Sequence, residues 1–198
     1  PPIHRRTASE VFGVPFDEVT SEMRSAAKAV NFGIVYGISD FGLARQLGIS
    51  RKEAARYIEL YFMRYPGVHT YLKGCVERAK QQGAATTLFG RRREMPELKS
   101  SNYNTRSFGE RVAMNMPIQG TAADIIKLAM VRVHNELKAR GMKSELILQI
   151  HDELIIDAVQ EEADAAAEIL KSCMENVVNL KVPLLAEVHT GHSWFDTK

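Results

Sequence analysis

The chain has 198 residues, 45% of them apolar and 25% charged, which suffices for one sizeable domain or two small ones around a real core. That apolar share excludes a disordered chain, 13 Gly and 7 Pro exclude a low-complexity one, and no apolar run nears the ~18 residues of a membrane helix. Net charge is only +2, yet residues 1–115 carry 18 Lys/Arg against 11 Asp/Glu (+7) and residues 116–198 carry 8 against 13 (−5). A basic half beside an acidic half points to a polyanion held on one side and carboxylates gathered on the other, or simply to unevenly solvated faces.

The opening Pro1-Pro2-Ile3-His4-Arg5-Arg6 has no signal-peptide core, and the chain begins without Met inside a helix-like phrase, as a piece of a longer protein would. A first helix starts after Thr20 or Ser21, with Glu22 at its positive end, and runs to Tyr36 before Gly37. Asp40 can cap a short helix over residues 41–47, which Gly48 stops. Ser50-Arg51-Lys52-Glu53 is a capping box for a helix ending at Arg64-Tyr65, before Pro66-Gly67. Another helical run, 68–82, closes at Gly83. Residues 85–93, with Arg91-Arg92-Arg93, read as a short basic hairpin or loop. A helix over 103–115 should end before Pro117, and Thr121-Ala122-Ala123-Asp124 should open the next, which Gly141 ends.

From there the periodicity changes. Leu146-Ile147-Leu148-Gln149-Ile150 and Leu154-Ile155-Ile156-Asp157-Ala158 flank His151-Asp152-Glu153 as two apolar strands with a polar tip, a hairpin. A helix over 161–177 and a last strand over 184–189 follow. The fold class is α+β, mostly helical first and then helices on a small antiparallel sheet, with a boundary near residues 104–116. Cys75 and Cys173 stand far apart in no Cys-x-x-Cys pair, which argues against a disulfide framework or zinc cluster and for two buried thiols in a reducing cytoplasm.

Three groups of residues could carry chemistry. Arg24, Lys28, Phe32 and Tyr36 recur every four residues, and each such step turns ~40° about a helix, so they form one slowly drifting stripe. A triphosphate could meet the two cations while its sugar and base pack on the two rings. The bland alternative is an amphipathic helix with its aromatics in the core and its cations snorkelling. Gly33 inside the helix points to something approaching the backbone there. The adjacent carboxylates Asp152 and Glu153 suit Mg²⁺, though strand geometry lets only one face a given ion, and a solvated acidic turn would look the same. Arg91, Arg92 and Arg93, with Arg106, Arg111, Asn115 and Gln119, offer phosphate contacts and amide donors, or a solvated basic face. Residues 41–55 also have the layout of a helix-turn-helix, which keeps a non-catalytic DNA-binding module as the alternative function.

Taken together, the motifs resemble those of family A DNA polymerases of the bacterial polymerase I type. Arg24-Ser25-Ala26-Ala27-Lys28-Ala29-Val30-Asn31-Phe32-Gly33-Ile34-Val35-Tyr36-Gly37 is similar to the family's fingers-helix motif. Met116-Pro117-Ile118-Gln119-Gly120-Thr121-Ala122-Ala123-Asp124 and Gln149-Ile150-His151-Asp152-Glu153 are similar to two palm signatures, in the right order. The resemblance implies a fingers subdomain over 1–104 and the C-terminal part of a palm over 105–198. It implies template-directed addition of dNTPs to a primer 3′-end with two Mg²⁺, in DNA replication and repair, in the bacterial cytoplasm at the nucleoid and with no membrane. Its partners would be primer-template DNA and dNTP. His4, Arg24 and Lys28 would reach the phosphates, with Lys28 a candidate acid for the leaving pyrophosphate. Phe32 would lie by the sugar, where Phe disfavours dideoxynucleotides and Tyr tolerates them, and Tyr36 near the templating position. Arg111, Asn115 and Gln119 would contact primer-template in the minor groove, and His151 the primer terminus. Asp152 would ligate Mg²⁺, with Glu153 nearby. One departure matters: the family's other metal-binding aspartate, in an Asp-Tyr-Ser-x-x-Glu-like strand, has no counterpart string here. The expectation is therefore a fragment of a larger enzyme, inactive alone.

Overall fold

The computed structural model describes residues 3–197; Pro1 and Pro2 of the opening phrase, and Lys198, lie outside the described residues. The chain divides into two compact units, residues 1–119 and 120–198.

The first unit is helical. α1 (Ile3–Phe12) packs on α2 (Ser21–Val35), followed by α3 (Asp40–Leu47), α4 (Arg51–Arg64) and α5 (Pro66–Gln82). Thr20 caps α2 by accepting the Met23 N–H, and Ser50 with Glu53 completes the capping box of α4. The cap of α3 is Ser39 rather than Asp40: its backbone is extended and its hydroxyl accepts the Gly42 N–H, while Asp40 bonds the Phe41 N–H and pairs with Arg51. Val11, Val30, Ile34, Leu43, Tyr61 and Leu72 form the core between these helices. A hairpin of β1 (Ala84–Thr86) and β2 (Arg92–Glu94) follows, so residues 85–93 are a hairpin, with Arg92 and Arg93 on the exposed second strand and Arg91 just before it.

α6 (Tyr103–Ala139) is one helix where two were expected. Pro117 sits inside it, although it denies the carbonyl four residues back a donor and costs about 3 kcal/mol in a helix interior. Packing overrides that cost: Ala113 before the proline and Ala129, Val133 and Leu137 after it are all buried in cores. Thr121 and Asp124 therefore lie within a helix and do not open one.

In the second unit β3 (Glu145–Ile150) and β4 (Glu153–Asp157) form an antiparallel hairpin, and α7 (Ala163–Glu175) packs with it and the end of α6. The register slips between Leu146 and Leu148, which leaves Ile147 as the extra residue of a bulge, 59% exposed. The strand expected over 184–189 is not formed. A strand needs a ladder partner for its backbone groups, and there the Ala186 N–H is taken by the Glu175 carboxylate instead. Both cysteines are free and buried. No helix among the described residues is long and apolar enough to cross a membrane.

α1 is fastened by Glu10, whose carboxylate accepts hydrogen bonds from Arg64 Nε (3.1 Å), Arg6 Nε (3.2 Å) and the Tyr65 hydroxyl. The Arg64 and Tyr65 bonds hold its pKa down at about 2, against 4.5 ordinarily. A depressed carboxylate stabilises the fold fully above its unfolded pKa and loses that contribution as pH falls through the folded value. Because Arg64 and Arg6 are more than half exposed, solvent screening reduces the effect to about 1–2 kcal/mol. Glu10→Gln should therefore lower the urea midpoint clearly at pH 7, with the gap to wild type shrinking by about half or more near pH 3. An equal gap at both pH values would show that Glu10 is not held this way.

Candidate functional site

α2 carries the site because its two faces differ. Ala27, Val30, Gly33 and Ile34 are buried, whereas Arg24, Lys28, Phe32 and Tyr36 all face solvent. Phe32 is 51% and Tyr36 49% exposed. The rings are therefore not core residues, which removes the amphipathic-helix alternative.

The helix ends in a Schellman turn: the Ile38 N–H bonds the Gly33 carbonyl (2.8 Å) and the Gly37 N–H that of Ile34 (3.0 Å). Gly37 has φ +68°, and a Cβ there would stand 2.5 Å from Met114 Cε and 2.9 Å from Arg111 Cγ. What approaches Gly33 is the side chain of Ile38, whose Cγ2 would lie 2.7 Å from an added Cβ. Phe32, Tyr36, Gly37, Gln46 and Arg111 line an open cavity of about 540 Å³ at this end of the helix.

His4, on α1, stands beside the stripe, its ring 5.5 Å from that of Phe32. Its pKa is lowered by burial first, then by the Lys28 and Arg24 charges. Asn115 Nδ2 reaches the Val35 carbonyl (3.5 Å), and Gln119 Nε2 donates to the Tyr36 hydroxyl (2.6 Å). Arg111 donates to the Ser107 hydroxyl and lies over the Phe108 ring. Thus His4, Arg24, Lys28, Phe32, Tyr36, Arg111, Asn115 and Gln119 come together within the first unit. In the arginine run, Arg92 pairs with Glu94 (2.7 Å) and Arg93 reaches toward Glu97 (3.9 Å).

In the second unit His151 and Asp152 form the two-residue tip of the β3–β4 hairpin. His151 has φ +52°, a region that non-glycine residues seldom occupy and that the closed hairpin enforces. Asp152 is exposed. Glu153 opens β4 and accepts a hydrogen bond from the indole of Trp194 (3.3 Å). Among the described residues no three His, Cys, Asp or Glu gather as a group that could hold a metal ion.

Reading the sequence missed Asn31, Thr7 and Trp194. A polar amide at position 31, between Val30 and Phe32 in an Ala-rich helix, was the one available signal that a partner is needed. The helix-turn-helix layout is present as α3, Gly48 in the left-handed region and α4. However, α4 turns Ala54 and Tyr61 into the core and exposes a mixed face of Lys52, Arg56, Glu59 and Met63.

The model of DNA polymerase family A matches residues 2–196. The chain is 58% identical over 196 residues to the DNA polymerase I of Caldicellulosiruptor bescii and 54% to that of Bacillus caldotenax, alignments that cover 99% of this chain. It spans 23% and 22% of those relatives' lengths. Among solved structures it is similar to the POL domain of Pol1 from M. smegmatis in complex with DNA primer-template and dNTP. The TM-score is 0.94 at 45% identity, over 98% of this chain and 34% of that one. A match running through nearly every residue leaves one assignment: the chain belongs to DNA polymerase family A.

Proposed function

We propose that residues 1–104 serve as fingers and 105–198 as the C-terminal part of the palm of a DNA-directed DNA polymerase, working in the bacterial cytoplasm at the nucleoid. The observation that carries this is the α2 stripe, two exposed cations followed by two half-exposed rings beside an open cavity, in a chain of family A. The relative from M. smegmatis is described in complex with primer-template and dNTP, which supports the same ligands here. Division by packing falls inside α6 at Gln119, whereas the division by role follows the family motifs.

In this reading Arg24 and Lys28 make charge-assisted bonds to the triphosphate and His4 adds a third contact. The primer 3′-hydroxyl gives up its proton to water and its oxygen bonds to the α-phosphorus as the bond to pyrophosphate breaks, while Lys28 hands a proton to the departing oxygen. Asn115 and Gln119 now hold the end of α2, so contact with a duplex minor groove exchanges those bonds for bonds to DNA. Arg111, His151 and the Arg91–Arg93 run complete the DNA contacts.

Mg²⁺, as a pair of ions, would stabilise the attacking and leaving oxygens. Asp152 offers one exposed carboxylate for an ion that otherwise takes water and phosphate oxygens. Its neighbour Glu153 is engaged by Trp194, and the described residues bring no cluster of three donors together. The donor set thus fits one ligand of an ion and does not build a two-ion site.

Two outcomes test this. The chain alone should bind primer-template weakly, with affinity falling steeply as salt rises, because phosphate contacts release counterions. It should not extend the primer. Template-dependent extension by the purified chain, abolished by Asp152→Asn, would overturn the incomplete site. Salt-insensitive binding to one preferred duplex sequence would favour a helix-turn-helix module instead.

A further inference from the structure

His4 does not stand alone. Its Nδ1 lies 3.0 Å from Asn31 Nδ2, and the same Nδ2 lies 3.1 Å from Thr7 Oγ1. Thr7 is buried, 3% exposed, and its hydroxyl lies 3.0 Å from the Ile3 carbonyl, one turn back in α1. A hydroxyl has a single proton. With that proton on the Ile3 carbonyl, Thr7 Oγ1 is left to accept from Asn31; both ends of the amide lie near it, Nδ2 at 3.1 Å and Oδ1 at 3.3 Å, and it is the nearer Nδ2 that is also aimed at His4. An amide nitrogen donates and never accepts, so Nδ1 of His4 must be the acceptor and the ring proton must be on Nε2.

We propose that Asn31 is a positioning residue: with Thr7 it fixes His4 as the Nε2–H tautomer, so that His4 meets nucleotide phosphates as a neutral hydrogen-bond donor beside Arg24 and Lys28. Its ligand rests on the polymerase reading above; its tautomer rests on the Ile3–Thr7–Asn31–His4 chain of bonds. Protonating the ring would set one N–H against another and add a third positive charge near the two α2 cations. These oppose the imidazolium in the same direction as the lowered pKa of His4. The charges that act on the ring from the packed neighbour helix are Lys28 and Arg24.

The test is two-bond ¹H–¹⁵N NMR on the full chain, with His4→Gln to identify its signal among the six histidines. In the wild type, above its pKa, His4 should show a protonated-type Nε2 and an unprotonated-type Nδ1. Asn31→Asp presents only acceptor oxygens, so it should move the proton to Nδ1 and raise the pKa by about 1–3 units. Asn31→Ala should give mixed tautomers. An Nδ1–H tautomer or a mixture in the wild type overturns the lock, and this needs no variant to fold. Unchanged tautomer and pKa in both folded variants overturn it as well. Titration with dGTP separates the two levels. A shift at His4 Nε2–H supports the proposal, and binding sensed at Lys28 but not at His4 overturns it while leaving the polymerase reading intact. Absence of any dGTP binding overturns the polymerase reading and the ligand assigned to His4, whatever the tautomer.

Discussion

Replacing Phe32 by Tyr in a family A polymerase that carries this segment is expected to relax discrimination against dideoxynucleotides by about one to two powers of ten. The ring lies on the exposed face of α2, one turn after Lys28 and one before Tyr36. Phosphates bound at Arg24 and Lys28 would set the sugar against it. A benzyl group offers no hydrogen-bonding atom near the sugar's 3′ position. A deoxynucleotide can turn its own 3′-hydroxyl onto its phosphates, whereas a dideoxynucleotide leaves that position empty. The tyrosine hydroxyl would fill it, and a hydrogen bond to a charged group is worth ~1.5–3 kcal/mol, which sets the size of the effect. Competition between dideoxy and deoxy substrates measures it directly. An identical ratio in both enzymes would mean that Phe32 does not face the sugar.

Lys28 is expected to matter at two separable levels. Neutralising it, as in Lys28→Ala, should weaken dNTP binding because one of two adjacent cations is lost. If Lys28 also protonates the leaving pyrophosphate, the maximal single-turnover rate should fall by about 10²–10⁴. Lys28→Arg distinguishes the roles, since a guanidinium keeps the charge but does not give up its proton. Arg should restore affinity without restoring rate. A Lys28→Ala enzyme with weaker binding and an unchanged maximal rate would leave Lys28 a purely electrostatic role.

The helical half and the stripe on α2 were legible because their signals are local. Thr20, the Ser50/Glu53 box, Gly48 and Gly83 punctuate the helices where side chain and backbone chemistry require. Pro117 misled for the same reason: as a local signal it ends a helix, and only tertiary packing around Ala113 and Val133 outweighs it. The failed strand over 184–189 is the converse case, a local β pattern without a partner to pair with. The role of Asn31 depends on His4, 27 residues away, and on how α1 lies against α2; spacing within one helix cannot reveal that. Exposure of Phe32 and Tyr36 likewise became decidable only once Val30 and Ile34 were seen to fill the core.

The indole of Trp194 touches Glu153, the residue next to Asp152, and it is the chain's one tryptophan. Its emission is therefore a built-in fluorescent reporter on the carboxylate tip of the hairpin. Excited selectively, it signals a change at that tip with no label attached. Six tyrosines elsewhere do not obscure it, because they absorb little at its red edge. Divalent cations that draw Glu153 away from the indole should alter the emission at concentrations that leave the rest of the fold unchanged. Metal affinity at the tip thus becomes a cuvette titration, independent of nucleotide, primer or turnover.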